Sequence, residues 1–269
     1  SQSAISNLIK CIEKAGFKVM GIVLDHLASS KAVLSEDEKN LGVCMVDIGG
    51  GSCKIAYFVN GSVAHTAVVP VGGAHFTNDI SVGLRTPQSA AEELKKRYGS
   101  AVASMVSDDD SVEVEGVGGR KSRTIPRKEL AHIIEARTEE CLSMIANNIR
   151  ASGLQPMLGS GIVMTGGTSS LDGIIEMGEF VFDLPVRRDL PKQVGGLKDV
   201  VKTGEFATSI GLLMHAIEQK RDYYVRKESG VRKEPGIFST STNSSSSHNG
   251  GGSFDEITSK VKKFFNDLF

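Results

Sequence analysis

Between residues 4 and 15 the apolar positions Ile5, Leu8, Ile9 and Ile12 fall on one side of a helical projection, and Gly16 supplies a C-terminal stop. Residues 19–24 follow as an unbroken apolar run, which predicts a buried strand. Residues 26–34 read as a helix, and the polar run at 35–40 reads as a solvated connector. Residues 41–48 predict a strand, Gly49-Gly50-Gly51 a turn and residues 53–59 a second strand. Asn60-Gly61 has the composition of a type I′ hairpin turn, so residues 62–70 predict a third strand. Helices are predicted over 74–82 and 89–98.

Residues 100–126 form a β-rich excursion, with alternation at 111–114 and a turn at Gly118-Gly119. A long helix is predicted over 127–151, where Leu130, Ile133, Ile134, Cys141, Leu142, Ile145 and Ile149 recur at three- and four-residue steps. Residues 161–164 predict a short strand, 169–177 a helix, 181–186 a further strand or edge, and 206–219 a helix. Strands alternating with helices around a long internal excursion define an α/β domain with a smaller inserted subdomain.

From about residue 223 the chain turns polar, and residues 239–253 are a Ser/Asn/Gly tract unable to form a core. Beyond it, Phe254, Ile257, Val261, Phe264, Phe265 and Leu268 share one face of a projected helix flanked by Lys260, Lys262 and Lys263. A helix with an apolar stripe buries that stripe, and one hung from a flexible tether buries it in a membrane surface, in a partner's groove or back on its own core. Two adjacent phenylalanines beside lysines favour the headgroup interface, with Ile257, Val261, Phe264, Phe265 and Leu268 as the membrane-binding set.

The formal charge of −1 gives no global field that would point to nucleic acid. Cys11, Cys44, Cys53 and Cys141 lack metal-binding spacing and read as reduced thiols. No apolar run is long enough to span a bilayer. Ser1 is not a methionine and a helix begins almost at once, so the chain is expected to start inside a fold, as part of a longer protein.

Candidate chemistry sits on three motifs. In the first, Asp47 ends a buried strand and Gly49, Gly50 and Gly51 let backbone N–H groups converge on an anion. Asp47 is also the candidate ligand for a divalent cation. A plain hairpin turn is the alternative. The second motif, Thr165-Gly166-Gly167-Thr168-Ser169-Ser170, repeats the order strand, glycine pair, helix, which suits a phosphate or ribose edge or a simple strand-to-helix turn. In the third, Glu92, Lys95 and Lys96 share a helix face and either clamp a ligand or form ordinary ion pairs. His75, after Gly72-Gly73, reads as a surface or capping histidine.

Taken together, Asp47-Ile48-Gly49-Gly50-Gly51, Thr165-Gly166-Gly167 and Ala207-Thr208-Ser209-Ile210-Gly211-Leu212-Leu213 resemble the actin/Hsp70/sugar-kinase ATPase superfamily. Leu27-Ala28-Ser29-Ser30, residues 41–51, 77–80, 111–119 and 161–167, and the tethered tail helix resemble the bacterial FtsA family within it. The resemblance implies an α/β, actin-like (ribonuclease H-like) ATPase lobe with an inserted smaller α/β subdomain and a disordered tether ending in an amphipathic helix. Residues 1–40 would be a remnant of the first subdomain, 41–85 and 152–220 the large subdomain of the second lobe, 86–151 the inserted subdomain, 221–253 the linker and 254–269 the membrane helix.

It further implies ATP and Mg2+ as cofactors, with Asp47, Gly49, Gly50 and Gly51 as the second phosphate loop. Glu92, Lys95 and Lys96 would contact the adenosine, and Gly166, Gly167, Thr168 and Ser170 would form the adenosine loop. The inserted subdomain would dock the FtsZ C-terminal tail through Arg137 and Glu140. Other implied partners are further copies in filaments, other division proteins and the inner leaflet of the cytoplasmic membrane at the septum.

Two departures from the family pattern stand out. The first phosphate loop and the small subdomain of the first half are missing, so this chain offers one lobe of a two-lobed cleft. His26 stands near the position where chaperone members carry a glutamate, and a general base must reach the attacking water, so hydrolysis is expected to be weak at most. A sugar kinase would need a substrate-side carboxylate near the phosphate loop, and a chaperone a second domain after the lobe; neither is evident. A pilus-assembly adaptor of related fold would not be expected to end in this tether and helix.

Overall fold

The computed structural model describes residues 2–191 and 201–228. At its centre is β1 (Val43–Ile48), every residue of which is buried. It lies in the middle of a five-stranded sheet with β2 (Cys53–Val59), β3 (Ser62–Val69), β6 (Ile162–Thr165) and β7 (Val186–Arg188), in the order β3-β2-β1-β6-β7. β1–β3 form an antiparallel meander, and β6 and β7 run parallel to β1. The β2–β3 turn is set by Asn60 and Gly61, both at positive φ (51° and 77°), as a type I′ turn requires.

Burial on both faces explains the near-continuous apolar run of β1. Cys44, Val46 and Ile48 point with Ile55 and Tyr57 into a core shared with α4 (Gly73–Leu84), α5 (Gln88–Tyr98), α6 (Arg127–Ser152) and α7 (Ile174–Phe182). Val43 and Met45 point the other way, with Ala56, Phe58 and Val163, against α2 (Asp25–Val33) and α8 (Ala207–Glu228). A short antiparallel pair, β4 (Ser111–Val114) and β5 (Arg123–Pro126), adds Val112, Val114 and Ile125 to the first core.

Several expectations need correction. Residues 17–24 form no strand: they pair with no described strand and leave Met20 and Ile22 exposed. The preceding helix α1 (Gln2–Lys14) likewise buries none of its residues. Apolarity marks the residues that seek cover but not the surface that provides it. Residues 35–40 are not a connector but the start of α3 (Glu36–Leu41), because Ser35 and Glu38 close a capping box in which Glu38 N–H donates to Ser35 Oγ and Ser35 N–H to Glu38 Oε2. The helix expected over 169–177 is a 3-10 turn at Gly167–Ser170 followed by α7, which starts after Gly173 at φ +77°. Residues 181 and 182 therefore finish α7, and the edge strand is β7. α8 runs to Glu228, so residues 221–228 of the expected linker are helical. The amphipathic tail and the rest of the linker lie outside the described residues.

The α2–α8 layer depends on small residues at the helix contact. A Cβ on Gly211 would sit 1.8 Å from the Ala28 carbonyl oxygen, so α8 can approach the α2 backbone only with glycine there. Ser29 Oγ and Thr208 Oγ1 bond at 2.8 Å across the same interface. Gly211→Val should lower folding stability by about 1–3 kcal/mol or more by overpacking. A urea midpoint equal to that of the parent would show that the two helices separate without cost.

Candidate functional site

The C-terminal end of β1 delivers Asp47 to the mouth of an open cleft of about 770 Å³. Cross-strand register places Lys54 on one side of Asp47 and Thr165 on the other. Asp47 faces the α2–α8 layer, where its Oδ2 accepts from Ser29 Oγ at 2.7 Å. Burial pushes its carboxyl pKa up, and this outweighs the opposing hydrogen bonds from Ser29 and Thr208 and the Lys54 charge. The Lys54 ammonium bridges to Asp25 at 2.6 Å. The Asp25 carboxyl is raised by burial, but its bonds to Lys54 and His26 win and hold it below the usual range.

After β1 the chain turns through Gly49–Ser52, closed by Gly49 N–H donating to Ser52 O at 3.1 Å. The first turn of α4 pins this loop: Gly73 N–H donates to Gly49 O at 2.9 Å and Ala74 N–H to Gly50 O at 2.7 Å. His75, at the same helix start, accepts from Gly72 N–H through Nδ1 at 3.2 Å, which makes it a capping residue. A Cβ on Gly50 or Gly51 would meet nothing within 4 Å. No neighbouring atom of the protein demands glycine there; a side chain would project into open space beside the loop.

The second glycine loop is stitched to the first. Gly166 sits at φ +89°, and a Cβ on it would lie 2.5 Å from both Asp47 Oδ1 and Ile48 O. Thr168 Oγ1 donates to Gly49 O at 3.3 Å. Ser169 and Ser170 turn their hydroxyls back onto the Gly166 and Gly167 carbonyls.

Helix α5 forms a further wall. Lys95 is buried, donating to Gly73 O and Thr77 Oγ1, each at 2.9 Å, and pairing with Glu92 at 2.7 Å. These three partners use its three donors, so Lys95 locks α5 to α4. Thr77 also donates to Glu92. Burial raises the Glu92 pKa, yet Lys95, Thr77 and Lys96 together bring it below the usual value. Lys96 remains the more exposed cation of the pair, 3.6 Å from Glu92.

Asp47, Gly49, Gly50, Glu92, Lys95, Lys96, Gly166, Gly167, Thr168 and Ser170 all line this one cleft. Gly51 is exposed outside its lining. Lys54, Gly73, Arg97, Glu205 and Thr208 line it too, and sequence reasoning did not assign them. Lys54 had left a signal, as the one charge in an otherwise apolar strand. Arg137 and Glu140 stand elsewhere, on α6. Arg137 pairs with Asp79 of α4 through Nε at 2.5 Å and Nη2 at 3.0 Å, and it also bonds Glu140, whose side chain is more than half exposed. The five tail residues proposed for the membrane lie outside the described residues. Among those described, no helix is long and apolar enough to cross a membrane.

A meander followed by two parallel strands, with helices on both faces and paired glycine loops at one sheet end, is the architecture of an actin-like lobe. Solved structures share the fold: MreB 5 of Spiroplasma citri bound to AMPPNP aligns with a TM-score of 0.64 at 19% identity, over 84% of this chain and 66% of that one. The family model for cell division protein FtsA matches residues 44–211, and the chain belongs to that family. Among curated relatives, cell division protein FtsA of Neisseria meningitidis serogroup B is 46% identical over 235 residues, which is 87% of this chain and 56% of the relative. That of Pseudomonas aeruginosa is 43% identical over 220 residues, 82% of this chain and 53% of the relative. The chain thus spans about half the length of the curated relatives it matches.

The raised pKa of Asp47 fixes a sign. The folded chain holds the Asp47 proton more tightly than the unfolded chain, so stability falls as pH rises from the ordinary aspartate value, about 3.9, through the raised folded one. Above that window the full cost of a buried charge is present. Asp47→Asn keeps an acceptor for Ser29 and removes the charge. It should have a higher urea midpoint than the parent at pH 7, and the difference should shrink on acidification. A lower midpoint for the variant at pH 7 would mean that Asp47 is stabilised by its partners rather than penalised by burial.

Proposed function

We propose that this chain is the second lobe and tail of an actin-like, ATP-binding adaptor that ties the FtsZ ring to the inner leaflet of the cytoplasmic membrane at the division septum, forms filaments and recruits later division proteins. The observation that carries the nucleotide part is the convergence of Asp47, two stitched glycine loops and the charged face of α5 on one cleft. The open space over Gly50 is a cradle that a Cβ would enter, which fits a phosphate chain drawing close to the backbone. Gly49 and Gly50 would hold phosphates, and Gly166, Gly167, Thr168 and Ser170, with Glu92 and Lys96, the nucleoside.

Asp47 would hold Mg2+, a cation that typically takes one or two carboxylates and completes its shell with phosphate oxygens and water. The metal would neutralise phosphate charge. Among the described residues, Asp25 beside Asp47 is already held by Lys54 rather than left free to act as a general base, and we read the chain as a scaffold with weak hydrolysis at most.

Docking of the FtsZ C-terminal tail is assigned to the surface around Arg137 and Glu140. The bidentate tie of Arg137 to Asp79 holds its guanidinium in place and keeps its charge partly compensated. Charge reversal at the more exposed Glu140 is therefore the cleaner probe. Glu140→Lys and Arg137→Glu should each change the affinity of an FtsZ tail peptide severalfold in fluorescence polarisation. Unchanged affinity in both, with native circular dichroism, would remove this surface from the reading.

The membrane part rests on the amphipathic pattern of residues 254–269. Full burial of each apolar side chain would contribute at most about 1.5–3 kcal/mol, while ordering a residue costs roughly 1–2 kcal/mol. Each lysine near anionic lipid adds about 1 kcal/mol. One copy is then marginal, and a filament presenting many copies binds by effective concentration. A tether of this composition over residues 229–253 would give a reach of about 25–30 Å. Phe265→Glu, or deletion of 254–269, should abolish flotation with anionic liposomes and leave the fold intact. Continued flotation of the truncated chain would exclude the tail as the membrane anchor.

A further inference from the structure

Cys53 and Cys141 lie against each other in the core between β2 and α6, their sulfurs 3.5 Å apart and both side chains buried. They are free thiols. At that separation the sulfurs are in contact, with no room for another heavy atom between them. A disulfide needs about 2.05 Å, so closure asks for a shift of about 1.5 Å shared between a strand and a helix. Cys53 Sγ–H donates to Val71 O at 3.0 Å, which leaves its sulfur lone pairs directed away from that carbonyl. The other buried thiol, Cys44, lies on β1 in the same core and has no sulfur partner among the described contacts.

We propose that Cys53 and Cys141 form a peroxide-responsive dithiol, a modification site that closes reversibly into an intramolecular disulfide. A small peroxide is the oxidant. The sulfur of Cys141 attacks one peroxide oxygen; the S–O bond forms, the O–O bond breaks and the departing hydroxide takes the thiol proton of Cys141 to leave as water. The sulfur of Cys53 then attacks the sulfenic sulfur of Cys141. The S–S bond forms, the S–O bond breaks, and the hydroxyl leaves as a second water with the proton of Cys53. Two thiols and one peroxide thus give one disulfide and two waters. Cys141 is the first nucleophile because its contact with Cys53 draws its thiol pKa down despite burial, while that contact and burial drive the pKa of Cys53 up.

The bridge would join two places that matter. Cys53 opens β2 directly after the Gly49–Ser52 loop. Cys141 follows Glu140 and lies one helical turn after Arg137. Oxidation would staple the phosphate-side strand to the helix proposed to meet the FtsZ tail. The chemistry of the pair itself does not depend on that functional reading.

The test uses the whole chain in a Cys11→Ser background, which removes the exposed thiol. The folded protein is treated with hydrogen peroxide, quenched with iodoacetamide and digested without reductant. The expected result is a loss of two hydrogens in the intact mass, a peptide pair joined through Cys53 and Cys141, alkylated Cys44 and full reversal by dithiothreitol. The thermal midpoint should rise on oxidation and fall back on reduction. Cys141→Ala, which keeps a small apolar side chain in the core, should abolish the joined peptide. The proposal is overturned if native protein gives no joined peptide while control thiols in the same tube oxidise. It is equally overturned if the link forms only in urea, or if Cys44 is linked instead.

Discussion

The hydrogen bond from Ser29 to Asp47 is the contact on which the rest of the site depends. It brings an acidic side chain at the end of a fully buried strand into register with α2, and through Thr208 with α8. A carboxylate there is disfavoured by burial, and the structure answers with two hydroxyls and the nearby Lys54 ammonium. Without them the charge would be stranded. The close approach of α8 to the Ala28 carbonyl, open only to Gly211, is what lets Thr208 reach Ser29. Packing between two helices and polarity at the mouth of the cleft are thus one problem solved together.

The same economy governs the far wall. Lys95 serves as a buried tie between α5 and α4 rather than as a free cation, leaving Lys96 to face the cleft. The two glycine loops hold each other: Gly166 lies against Asp47 and Ile48, and Thr168 against Gly49. The first turn of α4 donates its N–H groups to the loop carbonyls, so the loop is shaped by the protein before anything binds. Preorganisation of this kind lowers the ordering cost of binding.

Much of this was legible in the sequence, and the reasons are particular. β1 and β2 are apolar runs bounded by glycines and by Asn60-Gly61, so local chemistry alone fixes the meander. The apolar steps of α6 are long enough to be unambiguous. The two glycine motifs were separable from ordinary turns only when read together, because their contact spans Gly49 and Thr168, far apart in the chain. What was not legible depended on distant cover. Residues 19–24 looked like a buried strand since nothing local says that no described strand pairs with them. Lys95 reads from sequence as part of a ligand clamp or an ion-paired face, not as a tie to α4, because its partners Gly73 and Thr77 belong to another helix. The capping box at Ser35 and Glu38 is written in the sequence, but the charge run around it masks it as a solvated connector.

The central claim is that the two stitched loops and α5 form one wall of a nucleotide site. It is tested most directly by titrating the isotopically labelled chain with Mg-ATP at millimolar concentration and following backbone amide resonances. Shifts confined to Gly49, Gly50, Gly166, Gly167, Thr168 and Lys96, absent in Asp47→Asn or with magnesium alone, are the predicted result. Shifts scattered over the surface, or no shift at these amides at any concentration reached, would contradict it.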